Sequence, residues 1–578
     1  MTHLVNDAAD FADQALDGLV AAHGRYLRKV HGGVARATQT EAGQVAVVIG
    51  GGTGHYPAFG GWVGPGLAHG AACGNIFASP SASQVYSVLK AANRGGGILL
   101  SFGNYTGDVL HFGQAAERVR AEGVDVRILC VTDDVASAPA AERDRRRGIA
   151  GDLAVFKIAG AAAEEGMSLD DVERVAQRAN DRTRTMGVAF SGCTLPGADH
   201  PLFTVPDGKM SVGLGIHGEP GIADVDLPTA DEIAQLLVDK VLVEKPQDDG
   251  RRITVLLNGL GTVKYEELFV AYRKAAELLE HKGYAIVDPE VGEQCTSLDM
   301  AGLSLTVMWL DEDLERLWTA ACDTPAFRKG AMADRPHVSD EMQDDDEITT
   351  IPESSEGSRA LAGRFAGALA DVHQMLVDNE TYLGGIDAVA GDGDHGIGMV
   401  RGARAADESA QAAAAAGAGA RTLLIRAGDA WAERAGGTSG ALWGMAIGTA
   451  ARLLDDQSHP GQDVAVRAVS DAIDAIISLG GADVGDKTMV DAAIPFRDTL
   501  TAANGKGLGP AWAEAVAAAE EAARGTADFA AKRGRSRTHA DKSIGTPDPG
   551  AVSFAKIVGV LRAHVSDASI PRTELKES

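Results

Sequence analysis

The chain changes its hydrophobic periodicity once, between about 323 and 357, and that change limits the folds open to it. Before it, apolar, β-branched runs recur at 45–49, 98–102, 127–131 and 253–257, with helical patterns at 84–92 and 113–121 between some of them. Strands alternating with helices predict a largely parallel sheet covered on both faces. A second α/β stretch follows from about 264, with a helix near 264–281 and strand-like residues 303–309. After 357 nothing reads as a strand. Leu361, Phe365, Leu369, Val372 and Leu376 form one apolar stripe at helical spacing, and Ala-rich helical stretches recur at 403–416, 420–434, 463–478 and 510–523. The second half reads as an all-helical bundle or barrel. Between the halves, Met342-Gln343-Asp344-Asp345-Asp346-Glu347 and Pro352-Glu353-Ser354-Ser355-Glu356-Gly357 are polar and aperiodic, which reads as a linker. The expected division is an α/β region over 1–330 in two subdomains, a linker over 331–357 and a helical domain over 358–578.

Composition narrows the function. The 578 residues carry a net charge of −28, a field that repels nucleic acid and anionic membrane surfaces. No apolar run reaches the ~18 residues of a membrane span, and the first 30 residues lack the basic start and apolar stretch of a signal peptide. Five Cys (Cys73, Cys130, Cys193, Cys295 and Cys322) include no CxxC pair and read as buried thiols of a reducing compartment. The expectation is a cytoplasmic protein that binds neither nucleic acid nor membrane.

Asp387, Asp392 and Asp394 fall within eight residues, in Asp387-Ala-Val-Ala-Gly-Asp392-Gly393-Asp394-His395-Gly396. Three such carboxylates repel one another unless a cation sits between them, and Mg²⁺ commonly shares carboxylates with substrate phosphates. The spacing does not fit an EF-hand. Gly436-Gly437-Thr438-Ser439-Gly440 opens a helical pattern, where free N–H groups and two hydroxyls suit an anion. It lacks the Lys of a Walker A loop, and a close helix–helix contact explains it equally well. Two further glycine-rich clusters, Gly480–Met489 and Lys532–Gly550, could complete a nucleotide pocket at one end of a bundle. In the second, Arg535 suits the charge of a transferring phosphoryl group, with a surface loop Arg as the alternative.

In the first half, Gly50-Gly51-Gly52-Thr53-Gly54-His55 follows a strand as a dinucleotide loop would. A ribose-binding acid should then lie about 20 residues on. No Asp or Glu occurs between Glu41 and Asp108, which argues against NAD. Asp108 instead ends Gly103-Asn104-Tyr105-Thr106-Gly107-Asp108 just after a strand, where ligand chemistry is expected. His217, in Gly213-Leu214-Gly215-Ile216-His217-Gly218-Glu219-Pro220-Gly221, is an imidazole on a tightly shaped backbone, able to act as base, ligand or nucleophile, or simply a turn His.

Together these segments, with Arg147-Gly148-Ile149-Ala150-Gly151 and Ser543–Gly550, resemble the dihydroxyacetone kinase family in its fused, ATP-using form. The resemblance spans about 10 to 565. It implies an α/β substrate half and an eight-helix, barrel-like nucleotide half. It also implies ATP and Mg²⁺ as cofactors, a small ketose as substrate and a homodimer as assembly. His217 would attack the ketone carbon and hold the sugar as a hemiaminal. Asp108 would take the hydroxyl proton, and His55 would orient the substrate or move a proton. Gly52, Thr53 and Gly54 would add backbone contacts. Asp387, Asp392 and Asp394 would hold Mg²⁺. His395, Gly396, Ile397, Gly398, Thr438, Ser439, Gly480, Thr488, Met489, Arg535, Asp548, Pro549 and Gly550 would bind ATP. Two departures from the family pattern, Tyr56 for Glu and Gly103 for Lys, bear on substrate size. Loss of the Lys opens room beside a three-carbon ketose. That favours erythrulose (D-erythrulose to D-erythrulose 4-phosphate, ahead of an L-erythrulose 1-kinase) over dihydroxyacetone. A phosphoprotein-dependent relative is disfavoured by the fusion of the halves, and a non-enzymatic sugar-binding regulator by the acidic triad.

Overall fold

The computed structural model describes residues 4–333, 335–336, 351–391, 393–435, 437–458, 460–503, 507–533 and 540–565. Asp392, Gly436, Arg535 and most of the expected linker lie outside the described residues. The chain forms two compact units, Met1–Asp344 and Asp345–Ser578.

The first unit contains two large sheets. The six strands of the first are β1 (Leu27–Val30), β2 (Gly33–Arg36), β3 (Ala46–Thr53), β4 (Gly70–Ile76), β5 (Ile98–Gly103) and β6 (Val126–Val131), in the order β1-β2-β4-β3-β5-β6. β4, β3, β5 and β6 run parallel, and the β1–β2 hairpin joins antiparallel at one edge. β3 and β5 are apolar because both faces are covered: Val47, Ile49 and Leu99 pack into one core, and Val48, Ile98 and Leu100 into another.

The second sheet is built from β7 (Thr183–Ala189), β8 (Lys209–Val212), β9 (Ala223–Asp226), β10 (Arg252–Gly259), β11 (Ala285–Ile286), β12 (Glu290–Gly292) and β13 (Gly302–Trp309). Its order is β11-β10-β13-β7-β8-β9, with β12 also on β10. Here the expectation of parallel pairing fails. β10 pairs antiparallel with β13, and β13 with β7, so the 253–257 run belongs to this sheet rather than to the first. Periodicity marks a buried strand but does not reveal its partner's direction. Helices Ala230–Leu242 and Tyr265–His281 contribute Leu237, Val241, Leu268 and Ala275 to the core of this sheet.

Among the described residues the second unit has no strand. Its eight longer helices are Glu356–Asp387, His395–Ala415, Ala420–Ala435, Gly437–Arg452, Gln462–Gly480, Val490–Ala502, Leu508–Gly525 and Pro549–Leu561. Each packs on the next and the last packs on the first, which closes a ring. The aromatic rings of Trp431, Trp443, Phe554, Phe496 and Trp512 touch in series at its core. Small residues let these helices close up: a Cβ on Gly444 would lie 2.6 Å from the Gly428 carbonyl oxygen. Among the described residues no helix is long and apolar enough to cross a membrane.

Candidate active site

The glycine-rich loop leaves the carboxyl end of β3, and Asn104–Asp108 leaves the neighbouring end of β5, the rim where open parallel sheets bind ligands. Gly54 has φ +105, and a side chain there would strike the Phe77 ring at 2.8 Å. That turn presents His55, whose ring stacks on Phe77 at 4.9 Å between centroids. His55 Nδ1 lies 2.7 Å from the Thr296 carbonyl oxygen, and the Leu298 N–H donates to the Gly54 carbonyl, so a loop before β13 holds the turn from the second sheet.

His217 reaches the same place from the segment after β8. Its Nε2 is 3.0 Å from His55 Nε2. Its Nδ1 is 3.2 Å from Glu219 Oε1, and its backbone N–H donates to Glu219 Oε2 at 3.0 Å. Arg147 lies 3.5 Å from Glu219 and 2.8 Å from Asp134. Tyr105 and Phe77 meet the His217 ring edge-on at 4.7 and 5.2 Å. Burial, reinforced by the charge of His217, pushes His55 down to about 3, so its ring is neutral. Burial alone would raise the Glu219 carboxyl, but His217 and Arg147 outweigh it and hold it well below the usual carboxylate range.

Asp108 sits in the first turn of the helix Thr106–Ala121, buried, and its Oδ1 has no protein partner. Burial pushes it up to about 7 against the opposing pull of Ser79 and His217. Beside it, Asp152 is also buried with Oδ1 unpartnered, and burial followed by Asp133 and Asp108 raises it well above the usual range. The space at Gly103 is closely lined. A Cβ there would meet Asp152 Oδ2 and Tyr105 Cε2 at 3.3 Å and the Gly148 Cα at 3.4 Å. The Tyr56 side chain is about half exposed, while its carbonyl accepts from Thr296 Oγ1 at 2.9 Å.

In the helical unit, helix starts gather at one end of the ring. Asp387 closes the first helix, and its Oδ2 accepts from the His395 N–H at 3.2 Å. Burial and then Asp387 raise the Asp394 carboxyl. His395 Nε2 is 3.0 Å from Ser553 Oγ on the last helix. Asp548 caps that helix by accepting from the Ala551 N–H at 2.7 Å. Burial, with Asp491 and Asp387 adding to it, raises Asp548 to about 7. A Cβ on Gly550 would meet the Met489 nitrogen at 3.4 Å, so the 485–491 loop adjoins this corner. In that loop Asp491 accepts from the Gly485 and Thr488 N–H groups at 2.5 and 2.7 Å. A Cβ on Gly398 would stand 3.5 Å from the Ala435 carbonyl oxygen, which brings the Thr438–Ser439 turn beside His395–Gly398, and a Cβ on Gly480 would meet the Leu442 side chain at 3.7 Å. Ile397 is exposed. Gly396 also has a packing reason: a Cβ there would stand 2.2 Å from the Glu380 carbonyl oxygen.

Comparison with known proteins fits this two-part layout. A Dak1 domain model matches residues 17–326 and a DAK2 domain model residues 389–563. The L-erythrulose 1-kinase of Mycolicibacterium smegmatis is 58% identical over 572 residues, which is 98% of this chain and 100% of that protein. The chain belongs to the dihydroxyacetone kinase family. A second protein of Mycolicibacterium smegmatis, named D-erythrulose kinase, is 53% identical over 96% of this chain and 97% of its own length. Among solved structures, the dihydroxyacetone kinase from C. freundii in complex with AMP-PNP and Mg2+ is 31% identical with a TM-score of 0.52, covering 97% of this chain and 99% of that one.

Within this family architecture, the donors present suit a hard cation. Burial and the neighbouring Asp387 carboxylate raise the proton affinity of Asp394, and a divalent ion would relieve that repulsion. Among the described residues no three His, Cys, Asp or Glu side chains converge as a metal cluster, and Asp392 is not among them. The sequence reading missed Glu219, Arg147, Asp134, Phe77 and the Thr296 carbonyl in one unit, and Asp491 and Ser553 in the other. Glu219 and Arg147 lay within motifs already marked, so their charge was the available signal. A backbone carbonyl 241 residues from the His55 ring it holds leaves none.

Proposed function

We propose that the chain phosphorylates a four-carbon ketose, erythrulose, with ATP, through a hemiaminal on His217. The observation that carries this reading is the cluster of side chains at the strand ends. It combines an imidazole Nε2 backed by a neutral His55 with a buried carboxyl, Asp108, poised near neutrality. Relatives named for L- and for D-erythrulose, at 58% and 53% identity, support the four-carbon substrate.

In this reading His217 selects a carbonyl compound and fixes its position; polyols have no carbonyl to offer. Asp108 accepts the proton of the hydroxyl whose oxygen attacks the γ-phosphorus, with ADP as leaving group. Gly52, Thr53 and Gly54 bring backbone close to the sugar. In the helical unit, Asp387, Asp392 and Asp394 hold Mg²⁺, which neutralises phosphate charge when bound. His395–Gly398, Thr438, Ser439, Gly480, Thr488, Met489, Arg535 and Asp548–Gly550 cradle the nucleotide. The assembly is a homodimer, and the acidic chain with five free cysteines works in the cytoplasm.

A coupled ADP-release assay over dihydroxyacetone, D-erythrulose, L-erythrulose and glyceraldehyde tests the reading and assigns the hand. Erythrulose should give the highest kcat/KM; ADP release indifferent to every ketose would reject it. Light scattering tests the dimer.

A further inference from the structure

We propose, on the basis of the ketose-kinase reading, that Glu219 is a positioning residue: it keeps one proton shared between the Nε2 atoms of His217 and His55, and that proton ends on the ketone oxygen. The four ring nitrogens carry the inference. His55 Nδ1 faces the Thr296 carbonyl oxygen at 2.7 Å. A carbonyl only accepts, so this nitrogen bears a hydrogen. His217 Nδ1 faces Glu219 Oε1 at 3.2 Å. An ionised carboxylate also only accepts, so this nitrogen bears a hydrogen too. Glu219 is not free to turn away, because its Oε2 accepts the His217 backbone N–H and lies 3.5 Å from Arg147, itself anchored on Asp134.

The two remaining nitrogens face each other at 3.0 Å. Two lone pairs at that distance repel, and two hydrogens collide. A single proton makes the contact a hydrogen bond. The histidine pair therefore holds one positive charge, and Glu219 is its counter-charge. The other groups facing the pair are the rings of Phe77 and Tyr105, the carboxyl of Asp108, and Arg147 with Asp134 behind Glu219.

The covalent step then balances. The proton moves from His217 Nε2 to His55 Nε2 and frees a lone pair. That pair forms the bond to the ketone carbon, the C=O π pair moves to oxygen, and the oxygen takes the proton from His55. His55 ends neutral, the hemiaminal hydroxyl ends neutral, and the carbon-bonded His217 ring, still carrying its Nδ1 hydrogen, ends with the single positive charge. That charge stands opposite Glu219 before and after the step, so the carboxylate stabilises the adduct without changing its own protonation.

The test compares the full-length protein with Glu219→Gln. Three readouts are the pH profile of kcat/KM, the carbon-13 signal of carbonyl-labelled erythrulose, and nitrogen-15 spectra of labelled histidines. Removing the negative charge lets the pair lose its proton more easily. The alkaline limb of kcat/KM should therefore move down by about one to three pH units. kcat/KM near neutral pH should fall on the order of a hundredfold, with the KM for ATP unchanged. The wild-type nitrogen spectra should show both Nδ1 atoms protonated and one proton between the two Nε2 atoms, and they carry the test alone if Glu219→Gln does not fold. An unmoved alkaline limb, or wild-type rings with both Nε2 atoms unprotonated at neutral pH, overturns the role of Glu219 while the hemiaminal stands. Absence of a tetrahedral carbon signal in the wild type overturns the hemiaminal reading, and this proposal with it.

Discussion

At the scale of single residues, Asp108 ties activity and stability to the same proton. Burial raises its carboxyl to about 7, and its Oδ1 has no partner. As the proposed base it would work only when ionised, so kcat/KM should rise with pH up to about 7 before the histidine pair limits it on the alkaline side. Asp108→Asn should remove that acid limb and lower kcat on the order of 10²- to 10⁴-fold; an acid limb that persists in the variant would assign it to another group. The sign for folding is opposite. Because the folded carboxyl binds its proton more tightly than the unfolded one, stability falls as pH rises from about 4 to about 7 and stays lower above that. Asp108→Asn should then stabilise the protein above pH 7, by up to about 4 kcal/mol, and do so less at pH 5. Thermal unfolding at both pH values checks this. A variant less stable at pH 8 than the wild type would mean that the carboxylate is satisfied by groups other than Ser79 and His217.

At the scale of elements, close backbone approaches do what side-chain patterns cannot signal. Gly160 lies mid-helix in Gly151–Glu164, where a Cβ would stand 2.2 Å from the Leu67 carbonyl oxygen and 2.4 Å from its Cα. Helix propensity alone favours Ala there by about 1 kcal/mol. The collision with fixed backbone outweighs that gain, so Gly160→Ala should cost about 1–3 kcal/mol and lower Tm; an unchanged or raised Tm would show that the helix can shift. The same contrast explains what the sequence made legible. β3 and β5 announced themselves through β-branched runs ending in glycine, because both of their faces are buried. The stripe from Leu361 to Leu376 announced its helix because one face packs inward. The antiparallel neighbours of β10 were hidden, since pairing direction depends on connections that local pattern does not encode. His55, Asp108 and His217 were legible as polar residues on glycine-rich turns. Their alignment was not, since it depends on the Thr296 carbonyl and on the Arg147–Glu219 contact, both long-range. What lines the space at Gly103 was hidden for a related reason: Asp152 and Gly148 come to it from far along the chain.

At the scale of the molecule, each unit has hydrophobic cores of its own. Trp62, Trp309 and Trp318 are buried in the first, and Trp431, Trp443 and Trp512 in the second. A chain with separate cores can lose them separately, so calorimetry of the intact protein should resolve two transitions. The proposed sites divide along the same line: His55, Asp108 and His217 in one unit, and the acidic loop with its helix starts in the other. A ligand stabilises the unit that binds it by RT ln(1 + [L]/Kd), about 2.7 kcal/mol at a hundredfold excess over Kd. Erythrulose should therefore raise one transition and Mg²⁺–ATP the other. His217→Ala should abolish the ketose-dependent shift and spare the nucleotide-dependent one, while Asp387→Ala should do the reverse. With a net charge of −28, ATP without its metal meets a repulsive field, so nucleotide added with a chelator should shift neither transition appreciably. If both ligands raise one and the same transition, the division of the site between the two units fails. If chelated ATP stabilises as well as Mg²⁺–ATP does, the metal role of Asp387 and Asp394 fails, and the acidic loop must owe its carboxylates to some other charge.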